Sequence, residues 1–250
     1  MVQLRITPLY CVAFYFLIML HGSMHELVHH FTAFAVCGEW GTKSFNSFRA
    51  ACSTQPWIWL STYAGPIYSY AMMWLGGYWL MRGATPLTRQ LGFATIFAQL
   101  PLQRITGPIL SWNDEWFATR HLFEPSKPLR WGLFLLLVVI AAPPLARAWF
   151  AIQNKGRVLW FALYFCFLPL ILFAPALIGL EYLMVTRGVL NQQIIGIGLL
   201  FIVNEVVTIV GFALTQRYLD PDRERRANGA AGEALSSARG SARGANDPAD

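Results

Sequence analysis

Hydrophobic residues fall along the chain in long runs separated by short polar breaks, not in the alternating or 3.6-residue patterns of a water-facing fold. Six runs stand out, at residues 8–37, 56–81, 90–112, 129–150, 157–185 and 192–216. Each is near or above the roughly 20 residues that a helix needs to cross a bilayer. The pattern predicts an all-α polytopic membrane protein with about six transmembrane helices. After Leu219 the chain turns to Ala, Gly, Ser, Arg and Asp with almost no large apolar side chain, so residues 220–250 are expected to be a disordered C-terminal tail.

The polar residues inside the runs carry the chemistry. Within the first run stand His21, Ser23, His25, Glu26, His29 and His30. Ionisable groups at membrane depth cost at least a few kcal/mol each and mark functional sites by default. His25-Glu26-Leu27-Val28-His29 is an H-E-x-x-H. On a helix its two histidines lie one turn and about 40° of azimuth apart, so both imidazoles can reach one Zn2+, with Glu26 beside them to take a proton from water. That arrangement points to metal-assisted hydrolysis. His21 lies one turn before His25 on the same face, beside the ligands or along a water entry; His30 points elsewhere, as a packing or interfacial histidine.

The second run holds Ala64-Gly65-Pro66, small residues that let a neighbouring backbone approach and a proline that loosens the helix. The third is broken by Pro101, Arg104 and Gly107-Pro108 before Ser111-Trp112-Asn113-Asp114-Glu115. Broken helices are tolerated at membrane depth where protein buries them or they line a watery cavity. The last three runs are uniformly apolar and read as scaffold, with kinks expected at Pro143-Pro144, Pro169 and Pro175. Arg104 and Glu205 fall near the centres of their runs, where isolated charges are costly, and are expected to pair.

A hydrolytic zinc takes three protein ligands and keeps one open position. Asp114, the sole aspartate before the tail, follows the broken run and is the first choice for the third ligand; Glu115 is next, then Glu205 or His121. Asn113 stands where it could orient that ligand. A histidine-rich helix can also serve as a proton relay or hydrogen-bond network. The spacing of His21, His25, His29 and His30 further resembles histidine boxes of membrane di-iron enzymes, but that family requires about eight histidines and this chain has five.

Composition changes the picture little. The chain is 56% hydrophobic and 13% charged, with mean hydropathy +0.44, which excludes an ordinary water-soluble domain. Its net charge of +6 reads as loop arginines facing anionic lipid, not as nucleic-acid binding. Cys37 and Cys52 flank the polar loop at 38–55 and form a disulfide there if that loop meets an oxidising compartment, or remain two thiols. Cys11 and Cys166 read as ordinary helix residues. Loop cations balance between the two sides, and Arg217, Arg223, Arg225 and Arg226 favour both termini in the cytoplasm.

Taken together, His25-Glu26-Leu27-Val28-His29 in a first membrane helix, Ala64-Gly65-Pro66 in the second and an aspartate after a proline-broken third resemble the site-2 protease class of intramembrane zinc metalloproteases. The similarity covers about residues 10–125, so residues 1–125 are expected to form a metalloprotease-like membrane core and 126–219 additional transmembrane helices. The resemblance implies His25, His29 and Asp114 as zinc ligands, Glu26 as general base, and Gly65 and Pro66 close to substrate. It also implies a membrane-protein or peptide substrate within the lipid bilayer, in a bacterial inner or plasma membrane. Ser69 stands where members typically carry asparagine, and Asn113-Asp114-Glu115 replaces their Leu-Asp-Gly. Those relatives generally present the motif to the cytoplasm, whereas the tail charges here place it towards the outer half. The competing expectation, from another class, is a non-catalytic integral membrane protein that binds metal for transport or sensing.

Overall fold

The computed structural model describes residues 1–221 and 223; the expected tail lies, beyond its first residues, outside them. The chain is built on α1 (Pro8–Cys37), which is capped at its start by the Thr7 hydroxyl, accepting from the Tyr10 amide, and ends where Gly38 turns left-handed at φ 73° and donates to the Phe34 carbonyl. Its 30 residues span about 45 Å, longer than the hydrocarbon core of a bilayer. Against it lies α2 (Trp59–Arg82), followed by α3 (Pro86–Ala98), α4 (Pro101–Leu110) and α5 (Asp114–Leu122). Next come α6 (Lys127–Ala151), α7 (Arg157–Ala162), α8 (Leu168–Glu181) and α9 (Leu199–Thr215). Helices α7 and α8 run on through a π turn at Leu163–Phe167, where the Leu168 amide reaches back to the Leu163 carbonyl just before Pro169, which has no amide to give.

Among the described residues, four helical stretches are long and apolar enough to cross a membrane: Pro8–Cys37, Lys127–Ala151, Arg157–Thr186 and Leu199–Leu219. Their outer faces expose Leu135, Val139, Ile171, Ile178, Val207 and Val210, as expected of surfaces that meet lipid. The other two expected spans differ. Helix α2 has the length, but Ser61, Thr62, Tyr63, Ser69 and Gly65 dilute its apolar character. The run at 90–112 is no single helix: Leu100 and Ser111, at φ 54° and 61°, bracket α4 with left-handed turns.

The expectation of an all-helical chain is also corrected. Four two-residue strands, β1 (Thr42–Lys43), β2 (Phe48–Arg49), β3 (Gln193–Ile194) and β4 (Ile197–Gly198), form one sheet in the order β2-β1-β4-β3. The pairs β1–β2 and β3–β4 are antiparallel hairpins, and β1 joins β4 in parallel with Lys43 opposite Ile197. Residues 192–198, expected to begin the last span, therefore belong to a roof made of two distant loops. Cys37 and Cys52 are joined in a disulfide across the base of the first loop, while Cys11 and Cys166 are free. Three hydrogen bonds to Glu181 hold that loop down, from the Ser44 hydroxyl (2.8 Å), the Phe45 amide (2.8 Å) and the Asn46 amide (3.3 Å). At the opposite end, Tyr10, Phe14, Phe93, Phe97 and Tyr164 form a buried aromatic core that fixes α1 against α3 and the π turn.

Candidate metal centre

Three histidines one turn apart on α1 face α2, and α2 answers with small residues one turn apart: Ser61, Gly65 and Ser69, all buried. The stripe lets the two helices come close enough for backbone and hydroxyl groups to reach the rings. The His29 Nδ1–H donates to the Ser61 carbonyl at 2.6 Å, which leaves the Nε2 lone pair free to bind a cation. His25 Nδ1 lies 3.0 Å from the Ser69 hydroxyl, and His21 Nδ1 lies 2.9 Å from the Tyr68 hydroxyl. A β-carbon on Gly65 would collide with His29 Nε2 and His25 Cε1.

The broken third run delivers the acid. Asn113 caps α5, its side-chain oxygen accepting from the Trp116 amide (3.1 Å) while its Nδ2 donates to the Arg104 carbonyl (3.0 Å). Gly107 makes room for this corner, since any β-carbon there would strike the Asn113 side chain. Asn113 thus positions Asp114 through the backbone, not by bonding to its carboxylate. Asp114 Oδ2 lies 3.0 Å from His25 Nε2 and 3.5 Å from His29 Nε2, and the two Nε2 atoms are 3.1 Å apart. Ligand atoms on a tetrahedral zinc, with bonds of about 2.0–2.1 Å, are about 3.3–3.4 Å from one another. The triangle, at 3.0–3.5 Å, is within about 0.4 Å of those spacings and has the size to hold a metal ion. Among the described residues, His25, His29 and Asp114 are the group of three so placed.

The other candidates lie elsewhere. Glu115 is buried and turned away, its Oε1 3.4 Å from the Arg104 guanidinium, so it takes the place expected of Glu205. The expected Arg104–Glu205 pair is not formed: α5 presents Glu115 to Arg104, while Glu205 on α9 lies near Ser23 and Lys43. His121 is exposed at the end of α5. Pro66 is buried in α2 beside Gly65. His30 Nε2 donates to the Ile195 carbonyl (2.9 Å) and its ring stacks on Trp40, a packing role for the roof.

Glu26 opens, with His25, Asp114, Asn113 and Arg104, onto one cavity of about 260 Å³ that Phe45 and Asn46 of the roof close on one side. The sequence assigned none of four partners, Phe48, Arg104, Ser69 and Lys43, to the site. Phe48 stacks on His29, with centroids 4.8 Å apart and planes within 10°. Arg104 Nη2 lies 3.1 Å from His25 Nδ1, and because a guanidinium only donates, that contact places the His25 proton on Nε2. Binding a cation through Nε2 requires the proton on Nδ1, where Ser69 accepts it, leaving Arg104 to Glu115 and the Gln99 carbonyl. Lys43, 2% exposed, donates to the Ser44 carbonyl (2.8 Å) and sits 3.7 Å over the Phe201 ring. Burial pushes its ammonium down to about 8, although Glu26, Glu205 and Glu181 nearby hold it up. Of the four, Ser69 had a signal in its one-turn spacing from Gly65 and Ser61, and Arg104 in its charge within an apolar run.

No family model matches the chain, and no curated protein or solved structure matches it either.

Proposed function

We propose that the chain is a multi-pass membrane zinc metalloendopeptidase, similar in its chemistry to the site-2 protease class, that hydrolyses a peptide bond of a membrane-protein or peptide substrate. The observation that supports this best is the convergence of His25, His29 and Asp114 from two separate elements onto one point, beside a cavity that Glu26 shares. When bound, zinc would polarise the scissile carbonyl and lower the pKa of water towards neutrality. Glu26, which shares the cavity, would serve to take a proton from water and pass it to the leaving amine. Ser69 and the Ser61 carbonyl hold the two rings, and Asn113 holds the corner that carries Asp114. The apolar ring of Phe48 covers one face of His29 and keeps bulk water from it.

Metal content and cleavage of a membrane-protein substrate library, measured on purified protein and on Glu26→Gln, test the proposal. The expected result is one zinc per chain in both and cleavage by the first alone. Glu26→Gln with undiminished cleavage, or a wild-type chain without bound zinc, refutes it. One observation favours metal transport or sensing instead: ionisable groups continue from Glu26 through Lys43 to Glu205 and Glu181 on other elements. Under that reading Lys43→Met alters metal flux across vesicles while no peptide is cut.

A further inference from the structure

The disulfide, the roof and the distribution of charge at the two ends of the molecule bear on which side of the membrane the metal centre serves. The bond between Cys37 and Cys52 closes the loop that carries Phe45, Asn46 and Phe48. Those residues line the cavity or stack directly on His29. Disulfides of this structural kind form and persist in oxidising compartments. The site is also nearer that end of α1: His29 lies about 12 Å along the helix from Cys37 and about 32 Å from Pro8.

The opposite end is built where the amino terminus meets the loop after α6 and the end of α9. Val2 bridges to Ile152, the Leu4 amide donates to Asn154 Oδ1 at 2.7 Å, and Arg5 and Thr7 share a hollow with Arg217 and Asp220. That end gathers Arg5, Arg82, Arg89, Arg147, Lys155 and Arg157, joined by Arg217 and Arg223, with Asp220 as its acid among the described residues. The roof end holds six, Lys43, Arg49, Arg120, Lys127, Arg130 and Arg187, against eight at the other, where Arg217 and Arg223 make the difference. An excess of Lys and Arg marks the cytoplasmic face. Redox chemistry and charge, which are independent, therefore agree.

We infer that the roof end faces the oxidising side of the membrane, so that the metal centre draws water and substrate from that side and acts on peptide segments lying there. This rests on the membrane-protease reading for the word substrate, but the orientation itself is read without any cleavage assay.

The full-length chain is produced in cells with Cys11→Ser and Cys166→Ser, the disulfide kept, and one of two exposed positions changed: Gln192→Cys in the roof hairpin or Gln153→Cys at the other end. Spheroplasts are treated with a membrane-impermeant maleimide polymer, before or after detergent lysis, and mobility is read on gels. Gln192→Cys is expected to shift in intact spheroplasts, and Gln153→Cys only after lysis. A shift of Gln153→Cys in intact spheroplasts, or none of Gln192→Cys until lysis, overturns the inference. Non-reducing and reducing gels of the otherwise unaltered chain give a second reading: free Cys37 and Cys52 in membranes isolated under alkylation also overturn it. Failure here leaves bound zinc and Glu26-dependent cleavage untouched, and failure of those leaves the labelling pattern untouched.

Discussion

Adding one methyl group at Gly65 separates a packed metal centre from a loose cluster of histidines, because helix propensity and site geometry predict opposite signs. In a helix interior, Gly→Ala is ordinarily stabilising by about 1 kcal/mol. At position 65 the new carbon would meet His29 Nε2 and His25 Cε1, including one of the atoms proposed to bind zinc. The rings have no room to retreat. His29 is pinned by the Ser61 carbonyl at 2.6 Å and covered by Phe48, and His25 stands edge-on to His29 with centroids 4.6 Å apart. Overpacking of this kind costs about 1–3 kcal/mol, so the net change from the propensity gain runs from nearly neutral to about 2 kcal/mol destabilising. Zinc should suffer far more than stability, since the methyl occupies the approach to a ligand atom. The assay is thermal unfolding in detergent with and without chelator, together with zinc content. Wild-type protein should lose stability on chelation, by about 4 kcal/mol where free zinc had been a thousandfold above its dissociation constant. Gly65→Ala should melt at one temperature with or without chelator and carry little zinc. Gly179→Ala, at a helical glycine with no atom within 4 Å of the added carbon, is the control and should be neutral or stabilising. Stoichiometric zinc in Gly65→Ala would show that the close approach of α2 to the two rings is not part of the site.

Four further outcomes follow from the same contacts. Ser69→Ala removes the acceptor for the His25 Nδ1 proton and should weaken zinc binding by about 10- to 100-fold in a competition titration, with the fold intact. Glu115→Gln should cost about 3–5 kcal/mol by leaving the Arg104 charge buried and unpaired, and reversing Arg104 and Glu205 together should not rescue either single change. Cys52→Ser, or reduction, should lower unfolding stability by about 3 kcal/mol, the loop-closure value for 15 residues, and weaken zinc binding as Phe48 loosens from His29. Lys43 has its ammonium lowered from 10.5 to about 8, so between those pH values the unfolded chain holds the extra proton and stability rises with pH. Denaturant titrations at pH 8 and pH 10 should show a rise in the wild type that is smaller in Lys43→Met.

What the sequence made legible follows the range over which its signals act. Hydrophobic runs and the one-turn spacing of His25 and His29 are local, and both are present in α1 as read. Asp114 was reached through composition and position, as the sole aspartate in the first 219 residues after a run that prolines would bend. The roof was invisible because each strand is two residues long, below any periodicity, and its central pairing joins Lys43 to Ile197. The partner of Arg104 was misread for a related reason. Linear hydropathy gives depth but not azimuth, and Glu115, just beyond the broken run, turns back towards Arg104 across a left-handed residue at Ser111.

The parallel pairing of β1 with β4 also sets an order of events during synthesis. The strand that completes the roof sheet, β4, leaves the ribosome about 150 residues after β1, the one it joins. Until then the hairpin that carries Phe48 over His29 stands as a two-stranded ribbon closed by Cys37–Cys52, without its parallel neighbour. The four-stranded roof is therefore finished only when the last hairpin and the helix that follows it have been made.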